Sequence, residues 1–215
     1  MPKQEVPLNH LENYLPDNCL EDVLDYLHQF KVQLTVTKQR QSILGDYRNA
    51  HQGKAHRISV NGNLNKYSFL ITLLHELAHL LTYEKHKHHV APHGKEWKQL
   101  FSSILAKFLS KKIFPLDIET ALMNTLKNPA ASSCGDLPLL RILKKYDRAN
   151  SNLVLVEEVP TGKKFSIKGD RIFLKGGKIR TRHKCKEVDT GKFYLFNGLY
   201  EVKLVDDFPR NEKVL

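Results

Sequence analysis

Cysteine is scarce in this sequence. Cys19, Cys134 and Cys185 are the three present, and no two of them form a CxxC pair. That spacing excludes a four-cysteine zinc ribbon and fits a reducing compartment. Long apolar runs are also missing. No stretch approaches the roughly 18 uninterrupted apolar residues of a membrane span, so no transmembrane helix and no membrane partner is expected. The opening residues, Met1 to Asn9, lack the apolar core of a signal peptide, and the expectation is a cytoplasmic protein. No internal repeat or low-complexity tract stands out. A hydrophobic content of 41% argues against global disorder.

Acidic charge is in short supply. Lysine and arginine number 34 against 23 aspartates and glutamates, a net charge of +11. The excess is uneven: residues 160–192 carry 11 basic and 3 acidic side chains. Such a field favours phosphate backbones or other polyanions, and it also suits a solvated basic face.

The pattern along the chain is mixed. Residues 19–31 place apolar side chains at 20, 23, 24, 27 and 30, the spacing of an amphipathic helix. Val32–Thr37, Ser42–Tyr47 and His56–Val60 read as strands. A long helix is expected from about Asn65 to Tyr83, a polar loop from Glu84 to Pro92, and a second helix from about Gly94 to Ser110. A third should run from Asp117, its plausible cap, to Leu126. Residues 128–135 read as a linker, and Leu137–Asp147 as a short helix. From about Leu153 the texture changes to short strand candidates punctuated by glycine: Val154–Val156, Arg171–Leu174, Lys178–Arg182, Lys192–Phe196 and Tyr200–Leu204. The expected organisation is an α+β core over 1–127, a linker with a short helix over 128–150, and a small, basic antiparallel β module over 151–215.

What is present in abundance is histidine, and its placement carries the chemistry. His75-Glu76-Leu77-Ala78-His79 sets two imidazoles four residues apart, on one face of a helix and one turn apart. A chain of this composition, shuffled, contains about 0.03 such patterns. The run from Tyr67 to Leu74 is apolar and free of Gly and Pro, so the pair belongs to a mostly buried helix, where unpartnered imidazoles cost desolvation. The two can bind one Zn²⁺, with Glu76 within reach of a water beside it. A catalytic zinc takes three protein ligands. The third could be His86, His88, His89, His93 or Glu96. His93 is favoured because Pro92 and Gly94 fix it at the start of the next helix. The HExxHxxGxxH arrangement does not fit, since Thr82 and Lys85 occupy the required positions. Trp97 and Phe101, one turn apart, are expected to pack against the histidine helix.

These parts describe amide hydrolysis with Glu76 as general base. Two alternatives remain open on the residues alone. One is a DNA-binding or regulatory protein with a non-catalytic zinc site. The other is a zinc amidohydrolase acting on something other than protein.

The stretches Leu44-Gly45-Asp46-Tyr47, His56-Arg57-Ile58-Ser59-Val60-Asn61-Gly62-Asn63-Leu64, Phe69 to His79 and Pro92-His93-Gly94-Lys95-Glu96-Trp97 together resemble the SprT-like metalloproteases. That family takes in bacterial SprT and the eukaryotic Spartan proteases. The match covers roughly residues 20–115. The resemblance implies a zincin-like core with His75, His79 and His93 as ligands of one Zn²⁺ and Glu76 as catalytic base. It also implies protein substrates, which in Spartan-like members are bound or crosslinked to DNA. Many members carry a cysteine-rich zinc ribbon after the core; here that place holds a Lys/Arg-rich segment with Cys185 alone. Arg180, Arg182, Lys184 and Lys186 would share one strand face if the strand runs past His183, with Ile179, Thr181 and His183 facing inward. Those four are the candidate nucleic-acid contacts.

Overall fold

The computed structural model describes residues 8–40, 43–127, 129, 136–147 and 152–205. Two compact units divide the chain, Met1–Arg148 and Ala149–Leu215. The fold is α+β, with five α-helices and two sheets among the described residues. Cys134 and most of the stretch read as a linker lie outside those residues.

In the first unit, α1 (Leu20–Gln29) buries Val23 and Leu27, one turn apart. Strand β1 (Gln33–Thr37) alternates and buries Leu34 and Val36. It pairs in parallel with β3 (Arg57–Asn61), whose other side takes β2 (Gly45–Arg48) antiparallel. The order β1-β3-β2 makes β2 an edge strand. This strand begins later than the expected Ser42. The Asn61 amide donates to the Ile43 carbonyl at 3.0 Å, and the Arg40 guanidinium donates to the Leu44 carbonyl at 3.3 Å. Side chains thus satisfy the backbone just before β2.

Helix α2 (Lys66–His86) is the centre of the unit. The Asn65 side chain caps it by accepting from Ser68 N–H at 2.9 Å. Residues Phe69 to Ala78 are all buried, so the helix is covered on every side. It runs one turn beyond the expected Tyr83, taking in Glu84, Lys85 and His86. The basic Lys85 and His86 suit a helix C-terminus, and Lys87 at φ 52° ends it. Helix α3 (Lys95–Ser110) packs on α2 through a stripe of Trp97, Phe101, Ile104, Leu105 and Phe108. Helices α4 (Leu116–Lys127) and α5 (Leu137–Leu143) follow, and Leu139 and Leu143 join the same core. Asp117 lies inside the first turn of α4 rather than at its cap. Its carboxylate accepts from Ile118 N–H at 2.9 Å and from the Tyr146 hydroxyl at 2.6 Å.

The second unit is one antiparallel sheet of six strands. These are β4 (Val154–Leu155), β5 (Lys164–Ser166), β6 (Ile172–Ile179), β7 (Arg182–Glu187), β8 (Phe193–Asn197) and β9 (Glu201–Leu204), in the order β4-β9-β5-β6-β7-β8. Its small core holds Phe165, Phe173, Cys185 and Val202. The expected strand Lys178–Arg182 is instead the hairpin joining β6 to β7. Arg180 sits at φ 53° in the turn, and the register shifts between Lys175 and Lys178, at Gly176-Gly177. No described helix is long and apolar enough to cross a membrane.

Candidate metal centre

His75 and His79 project from consecutive turns of α2, and His93 comes from the connection into α3. The backbone turns there through Gly94 N–H bonded to Ala91 O at 3.0 Å. Nε2 of His75 lies 3.2 Å from Nε2 of His79 and 3.4 Å from Nε2 of His93. Among the described residues these three form the one group of His, Cys, Asp or Glu side chains close enough to share a metal ion. Glu96 is not part of it, and His86, His88 and His89 are not either.

The spacing tests the fit. A tetrahedral zinc with metal–nitrogen bonds of about 2.0–2.1 Å separates its ligand atoms by about 3.3–3.4 Å. A three-histidine set is also one that leaves a catalytic zinc a fourth position. The residues present therefore fit Zn²⁺. The ring of Trp97, fully buried, lies against all three imidazoles, with centroids 4.6 Å from His75, 5.3 Å from His79 and 4.8 Å from His93. Phe101 stacks beneath Trp97 at 5.1 Å. This aromatic floor fixes the rings and excludes water from behind them.

Electrostatics favour coordination. Burial, then the neighbouring His79 and His93, lower His75 to about 3. Burial and His93 lower His79 to about 4, and burial lowers His93 as well. All three are then neutral at pH 7, the form with a free lone pair. Glu76 moves the other way. Without a metal, burial, then the Asp46 carboxylate, raise its carboxyl to about 8 against the opposing pull of Arg40; a cation held by the triad would favour the ionised form that a general base needs.

Gly45 explains how the carboxyl comes so near the edge strand. A Cβ at position 45 would stand 2.5 Å from Glu76 Oε1 and 2.8 Å from Thr72 Cγ2. Only glycine lets β2 pass this close. Gly45 and the triad line one cleft of about 710 Å³, together with Tyr47, Tyr83 and His88. A larger groove, about 1060 Å³, lies between α4 and α5, but no group of ligating side chains meets there. In the sequence, Gly45 and Tyr47 carry no motif that assigns them a role. The signal was a glycine preceding a strand residue, meaningful only once β2 is seen beside α2.

The basic candidates divide. Arg182, Lys184 and Lys186 alternate outward along β7, while His183 and Cys185 are buried. Arg180 belongs to the turn, and Ile179, expected to face inward, is 48% exposed.

An α+β unit with three converging imidazoles and a buried carboxyl on one helix defines a candidate metalloenzyme class. The SprT-like family model matches residues 13–120, half the chain, and the protein belongs to the SprT-like family. It is 40% identical over 60 residues to Protein SprT of Escherichia coli O157:H7, a match covering 28% of this chain and 34% of that protein. It is likewise 40% identical over 62 residues to Protein SprT of Proteus mirabilis (strain HI4320), covering 28% and 36%. The chain thus spans about a third of the length of the curated relatives it matches. No solved structure matches it.

Proposed function

We propose that this protein is a zinc-dependent endopeptidase with a zincin-like core, hydrolysing peptide bonds with Glu76 as general base. The observation that carries the reading is the juxtaposition of three mutually close Nε2 atoms with a buried carboxyl in one cleft. His75, His79 and His93 would hold the ion. When bound, Zn²⁺ supplies Lewis acidity, acidifying water and polarising a carbonyl. Glu76 takes the proton of the attacking water and returns it to the leaving amine. Strand β2, an edge strand beside Glu76, supports docking of an extended peptide along it.

The test is Glu76→Gln in the zinc-loaded protein with unfolded casein as substrate. Cleavage should fall by a factor of about 10²–10⁴, the usual share of general base catalysis, with one zinc per chain retained. Cleavage that survives the substitution would overturn the assignment of Glu76. No cleavage by the native protein would favour the second reading, a regulatory protein with a non-catalytic metal.

We also propose that the substrates are proteins held on nucleic acid, through the outer face of β7 and β8. Lys184 and Lys186 stand opposite Leu195 and Phe193 in the register, and Lys184 Nζ sits 4.2 Å from the Phe193 ring centre. Cations interleaved with an exposed aromatic suit a strand's phosphates and bases. Arg182, Lys184 and Lys186 changed together to Ser should flatten the salt dependence of DNA binding, by about 0.7–0.9 in log–log slope per lost phosphate contact. An unchanged slope would remove this face from the interaction.

A further inference from the structure

Beside the triad, without joining it, three side chains from three elements meet. Tyr47 comes from β2, His56 from the residue just before β3, and Glu84 from the last turn of α2. The Tyr47 hydroxyl lies 2.9 Å from His56 Nδ1, and the Ala50 N–H donates to that same nitrogen at 3.2 Å. His56 Nε2 lies 3.3 Å from Glu84 Oε1. A backbone N–H can only donate. Nδ1 is therefore a lone-pair acceptor, and the imidazole proton sits on Nε2, directed at the Glu84 carboxylate. The direction of the third bond follows: Tyr47 donates its own proton to Nδ1. Its oxygen is left with lone pairs only.

Where those lone pairs lie follows from strand alternation. Residues 45 and 47 share one face of β2, and the face of Gly45 is the one that meets Glu76. Tyr47 lines the same cleft as Glu76 and the triad. Burial, then the Glu84 carboxylate, hold the phenol proton on well above its ordinary range.

We infer that Tyr47 is a substrate-binding residue of this cleft, its oxygen oriented by His56 and Glu84 to accept a hydrogen bond from an N–H of the bound peptide. The inference rests on the peptidase reading above. An oxygen whose proton is committed to His56 cannot donate to the charge that develops on a scissile carbonyl. Tyr47 then binds ground state and transition state alike, and its loss shows in KM rather than kcat. His56 and Glu84 touch no substrate; they are positioning residues.

Two measurements test this on the full chain. The first is ¹⁵N NMR of the metal-free protein, which reads the His56 tautomer without any substrate. The expected result is a proton on Nε2 and none on Nδ1 in the native protein, and the same in Glu84→Gln, whose amide oxygen still accepts. A proton on Nδ1 in the native protein overturns the inference whatever the protein cleaves. The second is casein hydrolysis by zinc-loaded Tyr47→Phe. KM should rise about three- to tenfold, the worth of one neutral hydrogen bond, with kcat within twofold and zinc content unchanged. Glu84→Ala should follow in the same direction, and Glu84→Gln should stay near native. Native KM in Tyr47→Phe, or a fall confined to kcat, overturns the role while leaving the peptidase reading standing. A native protein that cleaves nothing takes down both.

Discussion

A carboxyl pressed against the backbone of Gly45 titrates unlike one in water, and in the metal-free protein its proton is tied to stability. Glu76 goes from an ordinary 4.5 to about 8. Its folded form holds the proton, so its contribution is present below pH 4.5 and is lost as pH rises to about 8. His75 and His79 go from 6.5 to about 3 and about 4. Their contribution is present above pH 6.5 and lost as pH falls toward 4 and below. Two histidines outweigh one glutamate between 4.5 and 6.5, so the metal-free protein should be most stable near pH 6.5. From there to pH 8 it should lose on the order of 2 kcal/mol. Glu76→Gln should keep the acid limb and abolish the alkaline one. Urea denaturation in chelator at pH 5, 6.5 and 8 reads both, and parallel curves for the two proteins would refute it. Trp97 offers a second measurement at this scale. It is the sole tryptophan of the chain and lies within 5.3 Å of all three imidazole centres. Titration with Co²⁺, which imidazole sites also accept, should quench its fluorescence to a plateau at one equivalent. In His93→Ala the titration should require far more metal. Quenching that never saturates would speak against a defined site.

At the scale of elements, α2 holds the site only as well as its ends are held. Asn65 does more than cap. Besides accepting from Ser68 N–H, its amide donates to Leu143 O at 3.0 Å and to Asp147 Oδ1 at 2.6 Å, tying the start of α2 to the end of α5. Asn65→Ala loses the cap and leaves partners unsatisfied, and should destabilise by roughly 2–3 kcal/mol. Asn65→Asp keeps the cap acceptor but brings a second carboxylate to Asp147, and should rank between native and Ala. Thermal unfolding of the three orders them; an Ala variant at native stability would mean α5 leaves α2 unheld. Helix α2 was legible because its apolar run, its caps and the His75–His79 spacing all lie within one local stretch. The third ligand was legible for a similar reason: Pro92 and Gly94 mark where His93 must stand. Less local features were not. The role of Gly45 depends on which element passes beside Glu76, and sequence spacing carries no record of that. The direction of the Tyr47 hydrogen bond depends on Ala50 and Glu84, neither of which has a motif. The β6–β7 hairpin escaped because Arg180 adopts a left-handed turn without glycine or asparagine, while Gly176-Gly177, the conspicuous turn signal, lies inside a strand.

For the whole molecule, the division into two units decides what the metal stabilises. The cores are separate: one gathers residues from Leu11 to Leu143, the other from Val156 to Val202. His75, His79 and His93 all belong to the first, and among the described residues the second offers no comparable group. Its one described cysteine, Cys185, is buried among Phe165, Phe173 and Val202, where burial raises its thiol further from the reactive range. Metal binding to the native state alone stabilises by RT ln(1 + [metal]/Kd), about 4 kcal/mol at a thousandfold excess over Kd. That free energy goes entirely to the unit that holds the ion. Calorimetry should then resolve two transitions. Zinc should raise one by roughly 10 °C, the shift expected for a unit of this size, and leave the other where it was. His75→Ala should cancel the shift and leave the second transition untouched. If zinc instead moves a single transition of the whole chain, the β module unfolds with the metal unit, and its basic face is then coupled to the state of the cleft.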